Sequence, residues 1–289
     1  MIDVLTLNYN DCETTSRFVD SVKGYLCVSH VLVVDNNSSD GSAIQLKKIE
    51  SKKVRVLCND HNGGYGYGNN IGIKWLKEHC NSKYILLANP DVYVDEITLR
   101  KMESFLDCNK EYALVAPIML DKNGKIQYNT AFKIPKLWNF ILSLDLFVSK
   151  LFKPYYYSDL TTKKNIVKDV DAVSGSMFMM NVEKMLSYGM FDERVFLYCE
   201  ELILGMKLKK CGFKTGLLCD SFFTHNHSVS ISKTYKSIYS KRKLMMISSL
   251  FVIKHYYKAH FFARLCGCLL AKLSLLEVLA ITFVRKKEK

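Results

Sequence analysis

The sequence predicts an α/β protein built on a mostly parallel sheet, and three observations carry that prediction. Short apolar runs of strand length alternate with segments of helical periodicity through the first half of the chain. The runs end in clusters of Asn, Asp, Gly and Ser, which are turn and capping residues. Strand, helix, strand, helix in succession requires parallel strands joined by crossovers.

Taken in order, Val4 to Leu7 reads as the first strand, and a helix from about Thr14 places Phe18, Val22 and Leu26 on one face. Val31 to Val34 is a second buried strand, closed by Asp35-Asn36-Asn37-Ser38-Ser39-Asp40-Gly41-Ser42 and followed by a helix through Ile44 and Leu46. Val54 to Leu57 is a third strand. The glycine-rich stretch Asn62 to Gly72 reads as a loop, with a helix near Ile73 to Lys77. Tyr84 to Ala88 is a buried strand that must stop at Asn89, because Pro90 lacks a donor and biases the residue before it away from helix. A helix near Ile97 to Leu106, an apolar run Ala113 to Leu120 and a turn at Asp121 to Lys125 come next. Residues 132–168 are rich in aromatics, among them Phe132, Trp138, Phe140, Phe147, Phe152 and Tyr155 to Tyr157, which serve either as packing or as an acceptor-side lid. Val170 to Met180 is a strand interrupted at Ser174-Gly175-Ser176, and a helix opens at Glu200-Glu201 and runs to Gly212.

At 289 residues, with 49% hydrophobic and 24% charged content, the chain can bury a large core and nothing in its composition compels disorder. The net charge of +13 suggests nucleic acid until it is located. Thirteen Lys and Arg but only two acids, Glu277 and Glu288, lie beyond residue 232, so the body is nearly neutral and no nucleic-acid partner is expected. Two segments follow: a catalytic body over 1–232 and a basic helical region over 233–289. Ten scattered cysteines and a first strand that starts at once, without a secretory pattern, point to reduced thiols in the cytoplasm.

Several polar residues fall at strand ends, where ligands gather in open α/β sheets. Asp91 is either a turn residue or a carboxylate offered to a metal or phosphate. Asp35 closes its strand in the same way, as a helix cap or as an acceptor for a nucleobase N–H. The glycine stretch supplies unobstructed backbone amides, but it is neither a Walker loop nor a dinucleotide fingerprint. His225, at the end of another apolar run, is a core histidine or a cation ligand.

LNYN at 7–10, VVDNNSSDGS at 33–42, NGGYGYGNNIG at 62–72, NPDV at 89–92, VSGSMFM at 173–179, FDERVFLYCEE at 191–201 and HNHSVS at 225–230 occur in an order that resembles the family 2 glycosyltransferases of the rhamnosyltransferase-like kind. The resemblance covers roughly residues 2–245. It implies a GT-A fold, a nucleotide-sugar donor (dTDP-rhamnose or a UDP-sugar), a divalent cation (Mn2+ or Mg2+) and inversion at the anomeric carbon. By resemblance, Asn8, Asp35, Asn37, Asn62, Gly64, Gly68, Asn69 and Asn89 contact the donor, Asp91 and His225 hold the metal, and Glu201 is the catalytic base with Glu200 as the near alternative. Asn89 stands where many relatives carry an acid, Ile203 where a further Asp is common, and Asn181 where an Arg is frequent. Asn89 and Ile203 motivate the alternative of a non-catalytic nucleotide-sugar-binding relative, whereas position 181 reads as structural. A sugar nucleotidylyltransferase would need a Gly-rich loop with Arg after the first strand, which Leu7-Asn8-Tyr9-Asn10 is not.

From Leu244 to Val284 the chain is apolar with helical spacing, interrupted by Lys254, Lys258, Arg264, Lys272 and Glu277. With no long uncharged window, the pattern predicts basic amphipathic helices lying on an anionic membrane surface rather than a spanning helix, with Phe261, Phe262, Leu265, Leu269, Leu270 and Leu273 inserting; the alternative is a C-terminal helical layer packed on the catalytic body with its lysines solvated. The whole then describes an enzyme of bacterial surface polysaccharide synthesis, peripheral on the inner face of the cell membrane, acting on a lipid-linked saccharide acceptor.

Overall fold

A computed structural model of the chain describes residues 1–150, 155–157, 160, 166–226 and 237–287. Its centre is a nine-stranded sheet in the order β3-β2-β1-β4-β10-β6-β11-β5, with β8 paired to β11. In chain order the first elements are β1 (Ile2–Asn8), α1 (Cys12–Val22), β2 (Val28–Asp35), α2 (Ser42–Lys47), β3 (Val54–Cys58), α3 (Tyr65–Cys80), β4 (Tyr84–Ala88), β5 (Val92–Tyr93), α4 (Glu96–Cys108) and β6 (Tyr112–Leu120). There follow β7 (Ala131–Phe132), α5 (Leu137–Leu142), β8 (Val167–Val170), β9 (Ala172–Val173), β10 (Met177–Asn181), the single turn α6 (Val182–Lys184), α7 (Glu200–Lys210), β11 (Lys214–His225), α8 (Ile238–His255) and α9 (Phe261–Lys287). Strands β1 to β4, β6 and β11 run parallel, while β10, β5 and β8 are antiparallel to their neighbours. The predicted α/β class with a mostly parallel sheet is therefore what the chain adopts.

Two boundaries differ from the sequence prediction. Leu26 lies beyond the end of α1 and is exposed, so the helix face is carried by Phe18, Val19 and Val22. More consequentially, α3 begins at Tyr65 rather than near Ile73, and Gly66, Gly68 and Gly72 lie inside it. A Cβ at Gly68 would sit 2.4 Å from Leu7 Cδ1, and one at Gly72 2.3 Å from Leu5 Cδ1. The glycines thus let α3 lie directly on β1, and that packing offsets a helix-propensity loss of about 1 kcal/mol at each position.

Apolar layers cover both sheet faces. Phe18, Leu46, Leu99 and Met102 from α1, α2 and α4 close one, and Ile73, Leu76, Leu204 and Leu208 from α3 and α7 close the other. A third cluster joins Phe140 and Ile141 of α5, Leu202 and Ile203 of α7, Met246, Val252 and Ile253 of α8, and Ala263 and Ala271 of α9. The body and the C-terminal helices share this core, and Ile203 is fully buried in it. Asn181, the other departure, caps α6 by accepting from Lys184 N at 3.1 Å.

α9 is one continuous helix, and Phe261–Val284 is by length and composition able to cross a bilayer, with only 22% of its most apolar window buried. Its charges, Arg264, Lys272 and Glu277, divide the apolar sequence without interrupting the helix. Of the predicted inserting residues, Phe261, Phe262, Leu265, Leu269 and Leu273 are exposed, whereas Leu270 packs against the third cluster.

Candidate active site at the carboxyl edge of the sheet

The carboxyl ends of β1, β2, β4 and β11 and the start of antiparallel β10 lie along one edge of the sheet. Asn8 and Asp35 are register partners at the ends of β1 and β2, and both are buried. Asp35 Oδ1 accepts from Asn8 Nδ2 at 2.6 Å and from Ser38 Oγ at 2.7 Å, while Oδ2 accepts from Ser38 N at 2.9 Å. Asn8 Oδ1 in turn accepts from Thr15 Oγ1 at 2.7 Å. The two residues expected to meet the donor therefore bond each other and the loop that follows. Asn37, by contrast, is exposed in the left-handed region at φ 60°.

The glycine segment is likewise engaged by the protein. Asn62 Oδ1 accepts from Asn36 Nδ2 at 2.8 Å and from Gly64 N at 3.0 Å. Gly64 has φ +91°, and a Cβ there would lie 2.2 Å from the carbonyl oxygen of Phe196, which accepts from Tyr65 N at 3.0 Å. Gly64 and Gly68 permit close approach to Phe196 and Leu7 respectively. Asn69 is buried and donates to the carbonyl of Tyr65 at 3.0 Å.

Beyond β4, Pro90 turns the chain so that Asp91 faces the end of β11. Asp91 Oδ1 lies 3.1 Å from His225 Nε2, both side chains are largely buried, and Asn226 N donates to the Asp91 carbonyl at 2.9 Å. A carboxylate beside an imidazole is a donor set that suits a divalent cation, so the residues present fit one. Asn89 is half-buried next to them, and its N–H donates to the carbonyl of Ser176 at 2.8 Å. Another cation-compatible group among the described residues, Asp3, His30 and Cys80, lies at the opposite edge, where β1 and β2 begin. His227 to Ser230 and Phe152 fall outside the described residues.

The Ser174-Gly175-Ser176 turn links this edge to α7. Glu201 Oε1 accepts from Gly175 N at 3.0 Å, and Tyr65 Oη donates to the Gly175 carbonyl at 2.6 Å. Glu200 is buried, and its Oε1 has no hydrogen-bond partner among the described residues. Burial pushes both carboxyls up. For Glu200 the neighbouring charge of Glu201 adds to burial, whereas Glu201 is eased back by bonds from its own amide and that of Gly175. The helix opens from Tyr198 and Cys199, non-glycine residues at φ 71° and 70°, a conformation that costs on the order of 1 kcal/mol or more at each.

Sequence reasoning missed two contributors. Tyr65 lies between glycines and carries no signal of its own, yet it bridges the glycine helix and the Gly175 turn. Asp192 accepts both Arg194 Nε (2.8 Å) and Nη2 (2.6 Å) and also Tyr256 Oη (2.7 Å), which joins the segment before Glu200 to α8. Burial pushes the Asp192 carboxyl up, but the bonds from Arg194 and Tyr256 outweigh it and hold the group at about 2.

Residues 3–184 match the model of glycosyl transferase family 2. The chain belongs to that family. Among curated relatives, the family member is 25% identical over 202 residues to the low-salt glycan biosynthesis hexosyltransferase Agl10 of Haloferax volcanii, covering 70% of the chain and 59% of that protein. It is 26% identical over 180 residues to the rhamnosyltransferase WbbL of Escherichia coli K12, covering 57% of the chain and 65% of that protein. The N-acetylglucosaminyl-diphospho-decaprenol L-rhamnosyltransferase of Mycobacterium tuberculosis is 27% identical over 230 residues, with 74% and 72% covered. The chain thus spans about three-fifths of the length of the first two relatives. In fold it is similar to GalNAc-T7, solved with UDP, GalNAc and Mn2+ (TM-score 0.61, 16% identity, 78% of this chain and 44% of that one), and to residues 1–349 of TarS from S. aureus, solved with UDP-GlcNAc (0.51, 17%, 86% and 66%). The GT-A architecture is that of the family member as well.

Proposed function

We propose that this protein is an inverting glycosyltransferase that moves a sugar from a nucleotide-diphosphate donor to a lipid-linked saccharide in bacterial surface polysaccharide synthesis. The observation that carries the reading is the placement of Glu201 on Gly175, one residue from the carbonyl that accepts Asn89 N, at the edge where Asp91 and His225 converge. Glu201 accepts the proton of the acceptor hydroxyl as that oxygen bonds to the anomeric carbon. The bond from that carbon to the nucleoside diphosphate breaks in the same step, which inverts the centre. Asp91 and His225, with Asn89 as a neutral neighbour, would hold the divalent cation, Mn2+ or Mg2+, which neutralises charge on the leaving diphosphate. Tyr65 fixes the Gly175 turn and so keeps the base in place.

Names of relatives support the finer assignment. Rhamnosyltransferase relatives favour dTDP-rhamnose, while the fold neighbours solved with UDP and UDP-GlcNAc favour a uridine donor. The decaprenol-diphosphate relative supports a polyprenyl-linked acceptor. The exposed apolar surface of α9, with Trp138 packed at its start beside Phe262 (ring centroids 6.3 Å apart), supports residence on the cytoplasmic face of the membrane. A screen of thymidine and uridine diphosphate sugars with polyprenyl-diphospho-GlcNAc, read by product mass and by NMR of the new anomeric linkage, tests the reading. One donor should be consumed with a product of inverted configuration, and EDTA and Asp91→Ala should each abolish product. Donor binding without transfer under any divalent cation would sink it.

A further inference from the structure

The segment that delivers Glu200 and Glu201 is held from outside the family-matched residues. α8 presents Met246, Ser248, Ser249, Val252 and Ile253 as a buried face, and the residues under it are those just before and within α7. Ser248 Oγ donates to the carbonyl of Leu197 at 2.6 Å, and Ser249 Oγ contacts Cys199 Sγ at 3.8 Å. At the other end of α8, Tyr256 Oη completes the Asp192–Arg194 pair, and the Arg194 guanidinium lies 4.9 Å from the centre of the Phe251 ring. Between these two attachments lies Val195 to Cys199, whose last two residues are the left-handed pair from which α7 starts. The far side of the same segment accepts Tyr65 N at Phe196 O.

A backbone in the left-handed region at two consecutive non-glycine residues persists only where its surroundings over-determine it. Here Ser248 and Ser249 of α8 hold Leu197 and Cys199 from one side, while Tyr65 N holds Phe196 from the other. The first helical turn follows directly, so any relaxation at Tyr198 and Cys199 is transmitted to the Glu201 side chain. Ile203, where an acid is common by resemblance, buries its side chain in the α8 and α9 cluster and anchors the next turn.

We infer that Ser248 of α8 and Tyr256 at its C-terminal cap are positioning residues for Glu201, clamping the turn at Tyr198 and Cys199 so that the carboxylate stays on Gly175. The inference rests on the reading of Glu201 as base. It also gives the C-terminal helices a role in the reaction, since the elements that meet the membrane are packed on the segment that aims the base.

The test uses the detergent-solubilised full chain with Ser248→Ala, Tyr256→Phe and the double variant. Steady-state transfer is measured with dTDP-rhamnose and with UDP-GlcNAc on polyprenyl-diphospho-GlcNAc, alongside thermal unfolding and amide hydrogen exchange of residues 195–201. The expected result for the double variant is a kcat at least tenfold lower, a donor KM within twofold of wild type, an unfolding temperature within a few degrees, and faster exchange confined to 195–201. Unchanged kcat, unchanged exchange in that segment, or a joint fall of kcat, donor affinity and unfolding temperature would each overturn the inference. Glu201→Gln is the control for the underlying reading. If it retains transfer, or if wild type turns over neither donor, the base assignment fails, while the exchange comparison still decides whether α8 holds the turn.

Discussion

The polar residues at the ends of β1 and β2 and those at the start of α7 are both buried at one sheet edge, but they are satisfied to opposite degrees. Asp35 accepts three hydrogen bonds from Asn8 and Ser38. Glu200 leaves one carboxyl oxygen without a partner among the described residues, and Glu201 takes bonds from its own amide and that of Gly175 beside an acidic neighbour. A fully satisfied network rigidifies, whereas an under-satisfied carboxylate pair stores a destabilised charge available to a proton. On the proposed reading, the Glu200 and Glu201 end carries the proton transfer and the Asp35 end holds the strand edge in place.

Exchanging each carboxylate for its amide breaks the comparison most directly. Glu201→Gln should lower kcat by about 10²–10⁴-fold, the usual worth of a general base, with donor binding and unfolding temperature retained. Asp35→Asn should do the reverse, because an amide nitrogen cannot accept from Ser38 or Asn8, and it should cost about 1–3 kcal/mol of stability with a smaller effect on kcat. Kinetics and chemical denaturation on the same preparations measure both. If Asp35→Asn matched Glu201→Gln in kcat at full stability, Asp35 would belong to the chemistry and the contrast would collapse.

Gly64 sharpens the contrast from the scaffold side. An alanine there would place Cβ 2.2 Å from a backbone oxygen at φ +91°, where no side chain can swing away. Gly64→Ala should therefore destabilise by roughly 1–3 kcal/mol. Gly68→Ala meets side-chain atoms, Leu7 Cδ1 at 2.4 Å and Asn36 Oδ1 at 3.3 Å, rather than backbone, and should cost less. Urea midpoints of the two variants check the order.

Much of this was legible in the sequence where a local rule decides. Pro90 ends β4 wherever the chain goes next, so the strand end and the position of Asp91 follow from the dipeptide alone. The pairing of Asp91 with His225, 134 residues apart, needed only the resemblance that put both at a metal site. The start of α3 was not legible, because Gly66, Gly68 and Gly72 argue against helix and the compensating contacts with Leu5 and Leu7 are tertiary. Ile203 read as a missing acid for the same reason, since the apolar cluster that buries it is supplied by helices about fifty residues later. The continuity of α9 was hidden by Arg264, Lys272 and Glu277, whose charges interrupt a window without interrupting a helix.

The smallest predicted effect isolates the strained end by pH. Burial first, and then the Glu201 charge, raise the Glu200 carboxyl well above its ordinary value in the folded protein. At pH below the ordinary carboxylate range both folded and unfolded chains carry the proton, and the group costs nothing. As pH rises past that range the unfolded chain loses its proton while the folded chain keeps it, so folding is progressively opposed until the folded carboxyl also ionises. Glu200→Gln removes that penalty and keeps the shape. It should leave stability unchanged near pH 4 and raise it by about 1 kcal/mol, the low end of the cost of an unsatisfied buried group, toward pH 8. Unfolding free energies of wild type and variant across that interval check the slope. A gain that was constant with pH would mean that Glu200 is not held protonated, and would leave Glu201 without the acidic neighbour that distinguishes this end of the site from the Asp35 end.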